Sequence, residues 1–123
     1  MMKVPSFLLR RLYVKGSLRN TPEGFQFEMK NSLGSGYARK LLPLDMDGAE
    51  LPLESSTFQV NGASTGFAEV SEEKPFTLAM NRTVTISVKG VTLTPQAHKL
   101  TMGFEVRGLG VLRFDFADVP GNG

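Results

Sequence analysis

Residues 14 to 31, VKGSLRNTPEGFQFEMKN, decide the fold of this chain because they predict two β-strands folded back on each other. Apolar and polar residues alternate over 12–19 and again over 25–32, which is the two-residue period of a half-buried strand. The sequence NTPEG separates the two runs. Its proline presets the first central φ of a type I turn, and we expect Gly24 to supply the positive φ of a following bulge.

The same kind of pattern continues to the end of the chain. The pairs Asp47-Gly48 and Asn61-Gly62 are typical of two-residue hairpin turns with positive φ at both centres. Further strands are predicted over 37–47, 57–60, 76–80, 83–89, 100–107 and 111–116. Short strands with turn signals every ~8–12 residues are typical of a sandwich or barrel. We therefore predict an all-β fold, an immunoglobulin-like two-sheet antiparallel sandwich of about eight or nine short strands.

Length and composition predict one domain. A chain of 123 residues with 41% hydrophobic and 21% charged residues can bury its own core. We expect a single β-sandwich over 1–123. Residues 1–10 are predicted to be an opening segment with a short helical turn after Pro5, and 118–123 a frayed tail.

Several classes of function are excluded or disfavoured by composition. The chain has no cysteine, so it has neither disulfides nor thiolate metal sites, which fits a cytoplasmic protein. A net charge of +2, with basic residues interleaved with acidic ones, gives no reason to expect nucleic acid. No apolar run approaches the ~20 residues of a membrane span. The run Phe7-Leu8-Leu9 is broken by Arg10 and Arg11, so we do not expect a signal peptide.

Four polar residues are weak candidates for a site: His98, Asp45, Asp47 and Glu50. His98 is the single histidine and could act as a base, but no accompanying motif supplies a nucleophile or an orienting partner. A histidine hydrogen-bonded to the backbone at a sheet corner is the alternative. The three carboxylates surround Gly48 and fit a hairpin tip better than a calcium loop. No catalytic, cofactor-binding or metal-binding residue is assigned.

A possible interface lies near the N-terminus. Phe7, Leu8, Leu9 and Tyr37 precede or flank strands without alternating polar partners, and Arg10 and Arg11 add positive charge. Apolar residues in such a position either cap the core or contact another protein. The sequence leaves both alternatives open.

Longer motifs carry a resemblance to a known family. They are LYVKGSLRNTPEGFQFEMKNSLGSG, the later LPL, DG and LPLESSTFQVNG, and TVTISVKG followed by LTP and a histidine. With these the chain resembles a family of small bacterial and archaeal proteins that are commonly mislabelled hydroxymethylglutaryl-CoA reductase. A reductase of that kind needs a dinucleotide site and catalytic Glu, Lys, Asp and His in a much larger chain, so no catalytic residue carries over.

The same layout is similar to the small β subunit of C-glycoside deglycosylating enzymes. The shared elements are a basic opening strand, the DG hairpin, the V-N-G turn and the proline-plus-histidine crossover. In those enzymes a larger barrel subunit holds the metal and the catalytic groups, and the β subunit is a sandwich packed against it. The resemblance implies an architecture and an accessory role.

We therefore expect a non-catalytic accessory or assembly subunit without a cofactor, which binds itself or a larger enzyme, a glycoside-acting enzyme being one option. The alternative is a small-ligand or carbohydrate-binding module. A third option, an enzyme, requires His98 to converge with Asp45, Asp47 and Glu50 in one cleft.

Overall fold

The computed structural model describes residues 5–34 and 36–121, and within them the chain forms twelve strands. The strands are β1 (Arg19–Asn20), β2 (Gly24–Lys30), β3 (Gly36–Ala38), β4 (Lys40–Leu41), β5 (Asp45–Met46), β6 (Ala49–Glu50), β7 (Ser56–Val60), β8 (Ala63–Gly66), β9 (Phe76–Leu78), β10 (Thr83–Lys89), β11 (His98–Val106) and β12 (Gly110–Asp118). A short helix α1 (Ser6–Leu9) and 3-10 turns at Arg10–Leu12, Leu53–Ser55 and Phe67–Glu69 complete the described elements.

Two antiparallel sheets and a small ribbon organise these strands. The first sheet has the order β1-β2-β10-β7-β8, and the second has the order β12-β11-β5-β6, with β4 also paired to β11. Strands β3 and β9 form a separate two-stranded ribbon. The prediction of an all-β two-sheet sandwich is confirmed.

The core is built from the residues that the two-residue period turns inward. Val84, Ile86 and Val88 of β10 are at most 1% exposed, and Phe25, Phe27 and Met29 of β2 are fully buried. The second sheet contributes alternate residues of its two long strands, namely Leu100, Met102, Phe104, Phe114 and Phe116. Full burial of one such side chain is worth about 1.5–3 kcal/mol, so these inner faces hold the sheets together.

The opening hairpin is shorter than predicted. Residues 10–12 form the 3-10 turn, and the first side of the hairpin begins only at Tyr13, which bridges Met29. The Glu28 carbonyl accepts from the Val14 amide (2.9 Å), while the Glu28 amide donates to the Ser17 hydroxyl (2.9 Å). Glu28 thus bonds to both Val14 and Ser17, so the residues between these two bulge outward. The regular pairing of the hairpin strands begins only at β1.

Gly24 is required for space, whereas the sequence predicted a positive φ. Its φ is not among the positive values, and it lies at the start of β2 opposite Lys89. A Cβ atom on Gly24 would lie 1.9 Å from the carbonyl oxygen of Val88. The glycine therefore permits the close approach of β2 and β10.

The predicted strand over 37–47 is divided into β3, β4 and β5. Pro43 lies in the gap between β4 and β5, where no ladder amide is needed. Leu41 is buried, whereas the next residue, Leu42, is only half-buried. Interrupting the strand changes its phase, so a single alternation does not fit the whole segment.

Both predicted hairpin turns are confirmed. Asp47 and Gly48 have φ values of 53° and 90°, and Asn61 and Gly62 have values of 53° and 82°. These left-handed values at both central positions are those of a type I′ turn.

The two ends of the described chain are attached to the sandwich. Helix α1 follows Pro5 as predicted, and its Leu9 is 4% exposed. The tail predicted to fray from residue 118 is bonded as far as Gly121, whose amide donates to the Leu18 carbonyl (2.8 Å). Residues 1–4, 122 and 123 of these two predicted segments lie outside the described residues.

We predict that Gly24→Ala destabilises the protein by about 2–4 kcal/mol, because its methyl group would collide with the Val88 backbone. Gly36→Ala is the matched control, since a Cβ there has no heavy atom within 4 Å and the φ is not in the left-handed region. Urea unfolding of both variants measures the difference. Equal stability of the two would show that β2 and β10 do not approach as closely as described.

Candidate functional site

An apolar groove of about 270 Å³ opens where three parts of the fold meet. Leu9 and Leu12 bound it on the side of the N-terminal helical turns, and Tyr37 and Phe76 bound it on the β3–β9 ribbon. The remaining wall comes from the β11–β12 hairpin, with Leu109 at its turn. The groove therefore reaches from the surface to buried residues of the core, such as Leu12 and Phe76.

The groove offers apolar surface and little hydrogen-bonding capacity. None of its lining residues is charged, and its one amide side chain, Asn31, is already bonded. The Asn31 Nδ2 donates to the carbonyls of Gly34 (2.6 Å) and Leu78 (3.0 Å), and its Oδ1 accepts from the amides of Leu33 (3.0 Å) and Gly34 (3.2 Å). A group that binds here must therefore be mainly apolar.

The structure divides the predicted interface residues between two places. Leu9 and Tyr37, which are distant in sequence, line the same groove, and Tyr37 is 48% exposed. Phe7 is 65% exposed on α1, and Leu8 is half-buried. Leu9 thus caps the core, which is the first alternative left by the sequence. Phe7 faces outward on the same short helix, and its contact with another protein stays a prediction.

The two arginines of this segment behave differently. The Arg10 guanidinium donates from Nε to the Asp115 carbonyl (3.0 Å) and from Nη2 to the Asp115 carboxylate (2.8 Å). Arg11 is exposed. Arg10 therefore fastens the 3-10 turn to β12, with the modest energy of a half-exposed ion pair.

Two of the polar candidates, His98 and Asp47, do come together. His98 at the start of β11 donates from Nδ1 to Asp47 Oδ2 (2.6 Å), and Asp47 Oδ1 accepts from the Lys99 amide (2.8 Å). The His98 Nε2 lies 3.0 Å from both the hydroxyl and the carbonyl oxygen of Thr94. Thr94 was not singled out in the sequence, although its position four residues before His98 in one loop was the available signal.

This arrangement has the residue types of a nucleophile–base–acid triad but different hydrogen-bond roles. A catalytic histidine must accept the hydroxyl proton at Nε2. Here Nε2 faces a carbonyl oxygen, which only accepts, so the contact requires a proton on Nε2. With Nδ1 also donating, the charged imidazolium is the state that satisfies both sides, which favours a structural role for His98.

The pKa values of the pair agree with that role. The hydrogen bond to Asp47 raises the pKa of His98, and the Thr94 carbonyl adds to the effect although burial opposes it. The hydrogen bond from His98, followed by that from the Lys99 amide, lowers the pKa of Asp47. Each charged form thus stabilises the other.

Asp45 and Glu50 do not join this pair. Asp45 Oδ1 accepts from the Gly48 amide (2.9 Å), which closes the hairpin turn, and Glu50 is exposed opposite Asp45 in the β5–β6 ladder. In residues 5–34 and 36–121, no group of three or more His, Cys, Asp or Glu side chains is placed to hold a metal ion. The four predicted polar residues therefore do not form one cleft.

A second polar contact, which the sequence did not reveal, ties Tyr13, ahead of β1, to the last strand. The Tyr13 hydroxyl donates to Asp118 Oδ2 (2.7 Å), which also accepts from the Gly16 amide (2.9 Å). The Tyr13 ring stacks on Phe116 with centroids 3.7 Å apart. Burial, and then the bond to Asp118, raise the pKa of Tyr13 to about 12, so this tyrosine is a fixed neutral donor rather than a base.

We predict that the pair of His98 and Asp47 stabilises the fold only within a window of pH. Because folding raises the pKa of His98, the stability that His98 contributes is complete below pH 6.5, the ordinary pKa of histidine. This stability is lost as the pH rises through the folded-state pKa of His98. Because folding lowers the pKa of Asp47, the stability that Asp47 contributes is present above pH 3.8, the ordinary pKa of aspartate. This stability is lost as the pH falls through the folded-state pKa of Asp47.

His98→Gln tests this window by thermal unfolding. We expect the variant to lose several degrees of melting temperature relative to the parent at about pH 5.5, and clearly less at about pH 9. Asp45→Asn, which leaves His98 untouched, is the control for a general effect of charge on this hairpin. A difference between parent and His98→Gln that is the same at both pH values would contradict the prediction.

Comparison with known proteins identifies the family. Residues 8–120 match the family model described as hydroxymethylglutaryl-CoA reductase, N-terminal domain. A search of curated proteins found no match. Among the described residues, no helix is long and apolar enough to cross a bilayer. The match covers nearly the whole chain, which therefore belongs to the family of the hydroxymethylglutaryl-CoA reductase N-terminal domain.

Proposed function

We propose that this chain is a non-catalytic accessory subunit that docks a larger enzyme through the apolar groove. The observation that carries the proposal is the groove itself, an uncharged opening of about 270 Å³ with exposed Tyr37 and Leu109 at its mouth. Tyrosine beside an apolar pocket is a common anchor at protein interfaces, because its ring is large and loses little conformational entropy on binding.

The apolar surface beside the groove supports the same proposal. Leu33 is 37% exposed, Leu109 is 38% exposed and Val111 is 48% exposed, and all three lie in or next to the groove. Removing such side chains from water stabilises a complex by about 25 cal/mol per Å² before the costs of association are met.

The polar clusters support the non-catalytic part of the proposal. His98, Asp47 and Thr94 bond one another and the backbone, and they do not line the groove. The family description names a reductase and assigns no role to any residue of this chain. Of the possible partners, a glycoside-acting enzyme is our first choice because of the likeness to the β subunit described above.

Static light scattering of the purified chain mixed with an enzyme encoded next to its gene tests the proposal. We expect the mixture to contain a complex larger than either component. Tyr37→Asp and Leu109→Asp should each weaken the complex about tenfold or more, since each places a charge in an apolar contact.

Val119→Asp is the matched control, because Val119 is 50% exposed and does not line the groove. It should bind as the parent does. A chain that stays monomeric alone and binds no neighbouring gene product would refute the proposal, and a stable dimer of the chain alone would show that the occupant is a second copy.

A small-ligand module is the second candidate, favoured by the continuity of the groove with the core. An uncharged lining whose one amide is already bonded suits an aliphatic or aromatic ligand better than a sugar. Calorimetry with medium-chain fatty acids, flat aromatic compounds and simple sugars is the test. We predict heat from the apolar compounds, abolished by Leu109→Asp, and none from the sugars; the absence of heat from every compound would eliminate this candidate.

A further inference from the structure

The hydrogen bonds of β11 show which backbone groups of β12 face away from the sheet. Three backbone bonds reach β11 from the side of β4 and β5: Leu42 N to Gly103 O (3.0 Å), Arg39 N to Glu105 O (2.9 Å) and Asp47 N to Lys99 O (2.8 Å). The odd-numbered residues of β11 therefore direct their backbone groups away from β12.

The register transfers this direction to β12. The odd residues of β11 pair with odd residues of β12: Glu105 with Val111, Gly103 with Arg113 and Thr101 with Asp115. Bonded and non-bonded pairs alternate along an antiparallel ladder. Val111, Arg113 and Asp115 thus turn their N–H and C=O groups outward from the edge, and the bond from Arg10 Nε to the Asp115 carbonyl agrees.

Part of this edge is covered and part is open. At Asp115 the edge is held by Arg10 from the 3-10 turn, and the preceding helix α1 also packs against β12. In the described parts of the chain, nothing is seen to bond the outward backbone groups of Val111 and Arg113. Val111 is 48% exposed and Arg113 is exposed as well. An open edge of this kind is a template for one more strand.

The open edge adjoins the groove. Leu112, between Val111 and Arg113, turns its side chain inward and lines the groove, as does Leu109 at the preceding turn. A strand added beside β12 would turn every second side chain towards the mouth of the groove. Its other side chains would lie on the outer face of the sheet, beside Arg113.

Arg113 makes that outer face selective for charge. Its side chain lies back over Gly103, where a Cβ would be 3.2 Å from the Arg113 Cγ. Among the ion pairs of the described residues, Arg113 has none, whereas Arg10 and Arg39 are both paired. An acidic residue opposite Arg113 would therefore find an unneutralised guanidinium.

We propose that the partner binds by adding an extended segment to the β12 edge at Val111 and Arg113, with alternate apolar residues in the groove and acidic residues facing Arg113. This inference rests on the proposed function and names the kind of segment that the partner supplies. Strand addition draws affinity from main-chain hydrogen bonds and specificity from alternate side-chain pockets, and both features are present here.

The charges disfavour a second copy as the occupant. Two β12 edges placed antiparallel would gain an ion pair by setting Arg113 opposite Asp115 of the other copy. Asp115 is already bonded to Arg10, and Lys99 lies 3.7 Å away on the same carboxylate. Self-pairing would therefore have to disrupt the contacts that fasten the 3-10 turn.

Three short peptides test the proposal on the full chain. They are a blocked peptide of alternating valine and glutamate, its valine–lysine counterpart, and the acidic peptide N-methylated at alternate residues on its bonding edge. We expect the acidic peptide to bind roughly five- to tenfold more tightly than the basic one. The reason is that a glutamate opposite Arg113 attracts it, whereas a lysine in the same place repels it. Amide exchange at Val111 and Arg113 should slow when it binds, and N-methylation should abolish binding.

Arg113→Glu provides the charge-swap control and should reverse the preference between the acidic and basic peptides. Binding of the N-methylated peptide as tight as that of its parent, or unchanged exchange at Val111 and Arg113, would overturn the proposal, as would no binding of the acidic peptide. The enzyme encoded next to the gene separates the two proposals. If it binds the parent and Arg113→Glu equally but fails to bind Leu109→Asp, strand addition is overturned and the accessory function is left intact.

Discussion

The ladder of strand β11 is the interaction on which the rest of this structure depends. One edge of β11 pairs with β12 along its whole length, and the other edge holds β4 and β5. Its inward side chains reach from Leu100 in the core to Val106 at the groove. Because the alternation of bonded and non-bonded pairs is strict, the register of β11 also determines which backbone groups of β12 are left open.

The polar residues at the start of β11 serve that ladder. His98 and Lys99 are held by Asp47, a residue of the β5–β6 turn, so the hairpin and the strand are joined by a charged pair as well as by backbone bonds. A catalytic histidine must accept a proton at one ring nitrogen, whereas Nδ1 of His98 donates to Asp47 and Nε2 faces the carbonyl oxygen of Thr94. This carboxylate and this imidazole, which are residue types of acid–base chemistry, thus fix the crossover into the second sheet.

The fold was predictable because it depends on local patterns. Alternation identified β10, β11 and β12, and the Asp-Gly and Asn-Gly pairs identified both type I′ turns. Among the features that the sequence missed, two have clear physical reasons. The role of Gly24 depends on a carbonyl of β10, distant in sequence, and the break within 37–47 depends on Pro43 and on which strands are available as partners.

The candidate site was less predictable, because a groove is a property of three segments at once. Leu9 and Tyr37 were identified as apolar residues without polar alternation, but their neighbours Leu109 and Phe76 look like ordinary turn and strand residues. No short sequence window contains both walls of the groove. The same holds for Thr94, whose contact with His98 exists only once the loop has folded.

The position of Arg113 shows how the fold and the proposed interface share residues. Gly103 has no side chain, and a Cβ there would be 2.9 Å from Leu42 and 3.2 Å from the Arg113 side chain. Its absence lets Arg113 lie across the sheet instead of extending over the open edge. A charged side chain projecting from an edge strand usually discourages another strand from pairing. Because the Arg113 side chain lies back over Gly103, it does not cover the backbone edge at Val111 and Arg113. The positive charge of Arg113 still lies beside that edge, which would favour an acidic strand over a neutral one.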